Sequence, residues 1–276
     1  MTQIWCNGEW LDPLDFPASP IDRGSILGMS LFETMLALDG VPVFAERHLA
    51  RMRSGCARLG WEINLPNLEG IIRELLVKNE LCAGRARVRL TMTAGSGPVD
   101  DLSLGTSSLL WLMAVAVIEP PKEIRVNIAP WRRNEHSPLA GLKCASYAEN
   151  LVALDHAHRL GFQETLFLNT AGQLCEAASA NIFIVKNGLL LTPSLESGCL
   201  PGITRAVVLE LANRCQISSQ ESMLTADDLH SAGEIFLTSS IRGLESVSSV
   251  GDQAYGDFSV ATRLRQLWKV EIERKS

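Results

Sequence analysis

The chain of 276 residues has no apolar run long enough to span a bilayer. Its longest, residues 109–118, is about half of the ~20 residues such a helix needs and fits a buried strand instead. It has no basic block or stripe, and a formal net charge of -6 with a pI near 5.5 argues against nucleic-acid partners that bind by counterion release. The opening residues, M-T-Q-I-W-C-N-G-E-W, carry neither the basic start nor the apolar core of a secretion signal. The seven cysteines are scattered without a C-x-x-C pair, which speaks against a zinc site or a disulfide framework. A reducing cytosol is the location expected. Internal repeats, low-complexity tracts, a G-x-G-x-x-G turn, a Walker-type lysine and a nucleophile elbow are also missing, so neither a nucleotide phosphate nor a serine hydrolase is indicated.

What is present is an ordinary globular composition, 46% hydrophobic and 20% charged, sufficient for one large domain or two smaller ones. Asn7-Gly8 and Asp39-Gly40 each sit between short β-prone runs and predict hairpins. Leu49, Met52, Cys56 and Leu59 recur at helical spacing, as do Leu68, Ile71, Ile72, Leu75 and Leu76. Residues 85–94 alternate, with Ala86, Val88, Leu90, Met92 and Ala94 on one side and Arg85, Arg87, Arg89, Thr91 and Thr93 on the other, as in a half-buried strand. The stiff charged link Glu119-Pro120-Pro121-Lys122 is the expected boundary, giving a small N-terminal α/β domain over 1–119 and a larger domain over 120–276. The second part predicts a helix with the stripe Tyr147, Leu151, Leu154 and His158. Strands follow near 164–168, 173–176, 182–186 and 189–191, then a helix over 204–215, a strand over 234–238 and a final helix near 258–272. The expected fold class is α+β in two lobes.

Three places carry candidate chemistry. Lys143, in P-L-A-G-L-K-C, follows an apolar approach that penalises its ammonium form, as a lysine that attacks a carbonyl requires; alone, it reads equally as a surface lysine at a helix start. Glu176 ends a strand and precedes the small residues Ala177, Ala178, Ser179 and Ala180, against which a flat ring could lie; a strand-end glutamate has the same appearance. In L-P-G-I-T-R, Gly202 permits an unusual turn and Thr204 stands at a helix start, where hydroxyl and amides bind phosphate or simply cap the helix. Together, an amine, a carboxylate and an anion-binding turn are the groups needed to grip pyridoxal phosphate. Asp155-His156-Ala157-His158 is a solvated helix face rather than a metal pair, since residues two apart on a helix diverge.

The composite E-x-x-x-x-N-I-F, L-x-T-P and L-P-G-I-T-R resembles the class IV aminotransferases, the fold-type IV pyridoxal phosphate enzymes. That family includes branched-chain and D-amino acid aminotransferases and 4-amino-4-deoxychorismate lyase. I-D-R-G-S-I-L-G-M-S-L-F-E-T-M, H-L-A-R-M and G-E-I-F-L-T-S-S extend the likeness almost end to end. The resemblance implies a two-domain fold with a barrel-like sheet in the larger lobe, a homodimer and pyridoxal 5'-phosphate as cofactor. It further implies that Lys143 forms the Schiff base and shuttles protons, and that Glu176 pairs with the pyridine nitrogen. Arg51, the Ile203 amide, Thr204 and Ser240 would hold the phosphate with Ser239 adjacent, Leu200 would support one ring face, and Tyr147 would lie beside the cofactor. Arg89 and Phe32 are the implied substrate contacts.

The activity implied first is transfer of an amino group between an amino acid and a 2-oxo acid by a ping-pong cycle. P-L-A-G-L-K and L-T-S-S-I-R-G-L-E-S-V look more like the lyases, which form 4-aminobenzoate and pyruvate, although lyases often have asparagine at Ser239 and proline at Ser246. D-amino acid enzymes usually place arginine where Ala94 stands. The segment 95–108 reads as a flexible lid or as a long connection. A binding protein that keeps the fold without turnover is the third reading, and the retained Lys143 and Glu176 count against it.

Overall fold

The computed structural model describes residues 2–63 and 65–275. The chain forms two compact units that are not contiguous in sequence. Met1–Glu119, Leu142–Ser146 and Ile272–Ser276 make the first; Pro120–Gly141 and Tyr147–Glu271 make the second.

The first unit is built on an antiparallel sheet of β1 (Ile4–Cys6), β2 (Glu9–Leu11), β3 (Ser30–Leu38), β4 (Val41–Pro42), β5 (Arg85–Thr93) and β6 (Leu110–Ala116), in the order β2-β1-β6-β5-β3-β4. Both expected hairpins form, with positive φ at Asn7 and Gly8 and at Asp39 and Gly40, the backbone that two-residue turns require. The short α1 (Arg23–Leu27) precedes β3, while α2 (Ala45–Arg58) and α3 (Leu68–Lys78) lie between β4 and β5 in the chain. Leu49, Met52 and Cys56 of α2 and Leu68, Ile72, Leu75 and Leu76 of α3 pack with Leu31, Met35, Val88 and Leu90 of the sheet in one core. β5 departs from its expected half-burial: Thr91 and Thr93 are buried as well, the latter bonding through its hydroxyl to Asp22 at 2.7 Å.

The loop over 95–108 is tied to the fully buried Arg23. That guanidinium donates to the carbonyls of Gly95 (3.0 Å), Ala94 (2.9 Å), Ser103 (2.6 Å) and Asp101, and the Trp61 indole donates to Leu102 O at 2.8 Å. The segment is therefore an anchored loop in this structure.

The second unit holds β7 (Glu123–Arg133), β8 (Glu164–Asn169), β9 (Leu174–Ala177), β10 (Asn181–Lys186), β11 (Leu189–Pro193), β12 (Ser219–Ser222), β13 (Glu234–Ser239), β14 (Gly243–Val250) and β15 (Gln253–Ala254). Their order is β12-β11-β10-β13-β14-β7-β8-β9, with β15 on β14, and the sheet curls so that β9 also approaches β10. β7 runs parallel to both β14 and β8. The helices are α4 (Ala148–Arg159), α5 (Ile203–Arg214), α6 (Ala226–His230) and α7 (Ser259–Lys275). Among the described residues, no helix is long and apolar enough to cross a membrane.

Two expectations change here. The buried side of α4 is Asn150, Ala153 and Ala157, while Leu151 is exposed, so the stripe drawn through Tyr147, Leu151, Leu154 and His158 is rotated off the buried face. The small residues Ala153 and Ala157 let the helix lie close, which a search for large apolar side chains overlooks. β12, β14 and β15 were not anticipated; β14 hides in G-L-E-S-V-S-S-V because arginines satisfy its polar residues, Glu245 by Arg242 at 2.9 Å and Ser246 by Arg265 of α7 at 2.8 Å.

Arg23→Ala is expected to lower stability by about 2–4 kcal/mol, since four carbonyls, those of Ala94 and Gly95 in buried bonds, lose their donor at once. Urea midpoints and proteolysis should show that loss with new cleavage inside 95–108; an unchanged midpoint and cleavage pattern would contradict the anchoring.

Candidate active site

In the first unit Lys143 lies on an extended segment beside β3, not at a helix start, since α4 begins at Ala148. Phe32 N donates to Lys143 O at 3.0 Å, Ala145 N donates to Ser30 O at 2.8 Å, and Leu31 and Cys144 form a bridge. The sheet register puts Phe32 opposite Thr91 and Thr34 opposite Arg89, so Phe32 and Arg89 share one face. The Arg89 guanidinium carbon lies 3.9 Å from the Phe32 ring centroid and Lys143 Nζ 4.6 Å from it. Arg89 Nε also donates to Thr91 Oγ1 at 3.2 Å. Lys143, Arg89 and Phe32 are thus brought together.

The opposite face of β3 carries Leu31, Glu33, Met35 and Ala37, a row that is apolar except for Glu33. Glu33 is 1% exposed and is held by two residues of α2. Arg51 donates through Nε to Oε1 and through Nη2 to Oε2, each at 2.7 Å, and His48 Nδ1 lies 2.7 Å from Oε2. Burial pushes the Glu33 carboxyl upward, but hydrogen bonds from Arg51 and His48, with their charges, outweigh it and hold Glu33 at about 2. Burial lowers His48, opposed by Glu33 and assisted by the charges of Arg51 and Lys143, so the imidazole stays neutral and its Nδ1–H serves the carboxylate. Arg51 therefore differs from the exposed Arg47 and Arg58, with which it could have formed a solvated helix face. Glu33 and His48 were not singled out in the sequence, although a carboxylate in an apolar alternating row and a histidine three residues before Arg51 were both visible there.

In the second unit Glu176 is on β9, opposite Phe167, and its Oε2 accepts the Leu200 amide at 2.9 Å. Tyr147, at the start of α4, donates its hydroxyl to Ala178 O at 2.8 Å. Burial, with the negative charges of Glu176 and Glu164, pushes the phenol up to about 12, so it remains a donor. Gly202 opens α5 with no side-chain cap among the described residues. A Cβ there would come within 1.9 Å of Asn181 Oδ1, so any other residue would have to displace the Asn181 side chain, whose amide donates to Leu200 O at 2.8 Å. Ile203 and the Thr204 that follows are buried. Ser239 ends β13 and Ser240 follows it, and Ser239 Oγ accepts the Arg242 amide at 3.2 Å.

The sequence reading also missed a charged cluster beside those serines. Arg242 Nη2 meets the fully buried Glu164 at 3.1 Å and Ser179 Oγ at 3.0 Å, and Arg242 Nε meets Glu245 at 2.9 Å. Ser179 donates to Glu164 as well. Burial raises Glu245 to about 7, with Arg242 pulling it down and Glu164 pushing it up.

Comparison with known proteins gives these groups a context. A family model described as amino-transferase class IV matches residues 30–250. The chain is 29% identical to a Methanocaldococcus jannaschii protein named provisionally as a branched-chain-amino-acid aminotransferase, over 96% of this chain and 93% of that one. It is 27% identical to the aminodeoxychorismate lyase of Bacillus subtilis, over 98% and 94%. The structure of a branched-chain aminotransferase from Thermoproteus uzoniensis superposes with a TM-score of 0.90 at 21% identity, covering 100% of this chain and 96% of that chain, which shows the common fold.

The two glutamates predict opposite pH responses. Glu33 is depressed from 4.5 to about 2, so its stabilisation is complete above the unfolded value and is lost as pH falls through the folded one. Glu245 is raised from 4.5 to about 7, so stability is lost as pH rises between those values. Denaturation midpoints measured from pH 3 to 8 should show Glu33→Gln flattening the acid limb and Glu245→Gln recovering stability near pH 7. Curves parallel to the parent would refute these assignments.

Proposed function

We infer the reaction from one premise: this chain belongs to the class IV aminotransferase family, enzymes that use pyridoxal 5'-phosphate. The reading we propose is transfer of an amino group between an amino acid, with a donor such as glutamate, and a 2-oxo acid in a ping-pong cycle. The observation that carries it is the Glu176 carboxylate, held by the Leu200 amide immediately ahead of the uncapped start of α5. A fixed carboxylate and a helix start without a side-chain cap fit a protonated pyridine carrying a phosphate.

When bound, the cofactor supplies a conjugated electron sink for the pair released as a substrate Cα–H bond breaks. Lys143 would hold it covalently through Nζ and, once the substrate amine has displaced that bond, would take the Cα proton on Nζ and deliver it to the cofactor carbon that receives the amino group. Glu176 would keep the ring nitrogen protonated, Leu200 would support a ring face, and the Tyr147 phenol, its hydroxyl held by Ala178 O, would lie beside the ring. Arg51, the Ile203 amide, Thr204 and Ser240, with Ser239 adjacent, would hold the phosphate. Arg89 would receive the substrate carboxylate, with Phe32 lining the same face of β3. We further propose a homodimer, to be checked by light scattering, in a reducing cytosol, to be checked by cell fractionation; its seven cysteines are free thiols.

A second reading, cleavage of aminodeoxychorismate to 4-aminobenzoate and pyruvate, is favoured by the lyase relative aligned over 98% of this chain. Both reactions demand the same cofactor grip and the same proton removal.

The holoenzyme incubated with an amino-donor panel should convert to the pyridoxamine form and release the matching oxo acid. Formation of 4-aminobenzoate and pyruvate from aminodeoxychorismate would instead select the lyase. Lys143→Ala is expected to abolish turnover and borohydride-fixed cofactor; near-normal turnover in that variant would overturn both readings. A parent protein without an absorbance band for bound cofactor would point to the fold without the activity.

A further inference from the structure

We propose that Glu33 and His48 are positioning residues that fix the Arg51 guanidinium for a phosphate monoester, an inference resting on the reading above that Arg51 binds the cofactor phosphate. A guanidinium is a planar fork of five N–H donors, and recognition of phosphate oxygens depends on the orientation of that plane. In this chain the plane is set from behind. Nε and Nη2 both bond to one carboxylate at 2.7 Å, which fixes the tilt as a single contact could not. His48, one helical turn before Arg51 on α2, bonds to Oε2 of the same carboxylate at 2.7 Å and restrains its rotation. Both supporting residues are 1% exposed, so the support sits in packed surroundings.

Charge alone does not explain this construction. Glu33 is anionic at any ordinary pH and cancels the charge of Arg51, while His48 is neutral. A site built only to attract an anion would not bury a carboxylate behind its arginine. Orientation is what the arrangement provides: the side-chain freedom of Arg51 is lost when the protein folds and is not lost again when the phosphate arrives.

The test compares two ligands that share the aldehyde and differ in the phosphate. Cofactor-free protein is titrated by absorbance with pyridoxal 5'-phosphate and with pyridoxal. Glu33→Asp keeps the charge and shortens the reach by one methylene. It should weaken pyridoxal phosphate about tenfold, as expected for a misdirected charge-assisted bond, and leave pyridoxal within about twofold. His48→Ala should shift the ratio the same way, and His48→Asn, whose amide nitrogen stands near the place of Nδ1, should restore much of it. Equal losses for both ligands would mean that the cluster only braces α2 on β3, and the proposal fails. If Arg51→Gln collapses the ratio while Glu33→Asp and His48→Ala leave it intact, the positioning role alone fails. If Arg51→Gln itself leaves the ratio unchanged, the phosphate reading of Arg51 fails and this inference goes with it. Should Glu33→Asp not fold, the His48→Ala and His48→Asn pair decides.

Discussion

A carboxylate on the core-facing side of a strand constrains how the first unit packs. β3 alternates so that Leu31, Glu33, Met35 and Ala37 point towards the helices, and an ionised group there is tolerable only with donors attached. Both donors come from α2, which fixes the rotation of that helix: His48 must face the strand together with Leu49, Met52 and Cys56. Polar bonding and apolar packing thus demand the same helix face. The other side of β3 carries Phe32 with Arg89 and Lys143 close to its ring, and the Phe32 amide pairs with the carbonyl of Lys143. One strand therefore orients an arginine on one face and a lysine on the other.

Glu33 and Glu245 show why burial alone does not decide ionisation. Both are almost fully buried, yet the first is held at about 2 and the second rises to about 7. Glu33 receives two bonds from a guanidinium and one from an imidazole. Glu245 shares the guanidinium of Arg242 with Glu164, so one cation faces two carboxylates. The number of donors per carboxylate separates the cases.

Much of the fold was legible because local signals and packing agreed. The Asn-Gly and Asp-Gly turns, the stripes of α2 and α3 and the apolar face of β5 all read correctly, since turn chemistry and apolar spacing act over a few residues, whereas the burial of Thr91 and Thr93 on the other face of β5 did not. α4 was misread because alanines, not leucines, make its buried face, and β14 was missed because arginines, one of them on α7, satisfy its polar residues. The placement of Lys143 was illegible for a related reason. Leu142–Ser146 belongs to the first unit while Gly141 and Tyr147 belong to the second, and no spacing rule reports that a five-residue segment pairs with a strand more than a hundred residues earlier. The motifs named the chemical groups; the pairings that orient them are long-range.

Arg242 bears on how the transferase and lyase readings are weighed. It lies in T-S-S-I-R-G, one of the segments whose wording leans towards the lyase, and an arginine there invites assignment as a receiver for a substrate carboxylate. Its guanidinium instead meets two buried carboxylates and a serine, and its amide bonds to Ser239 Oγ. With its charge met from within, Arg242 organises the turn that carries Ser239 and Ser240. A turn that shapes the strand end proposed to contact the phosphate would serve transamination and elimination alike. The lyase-like wording of this segment is therefore accounted for by structure, and it weighs less in choosing the reaction than its sequence alone suggests.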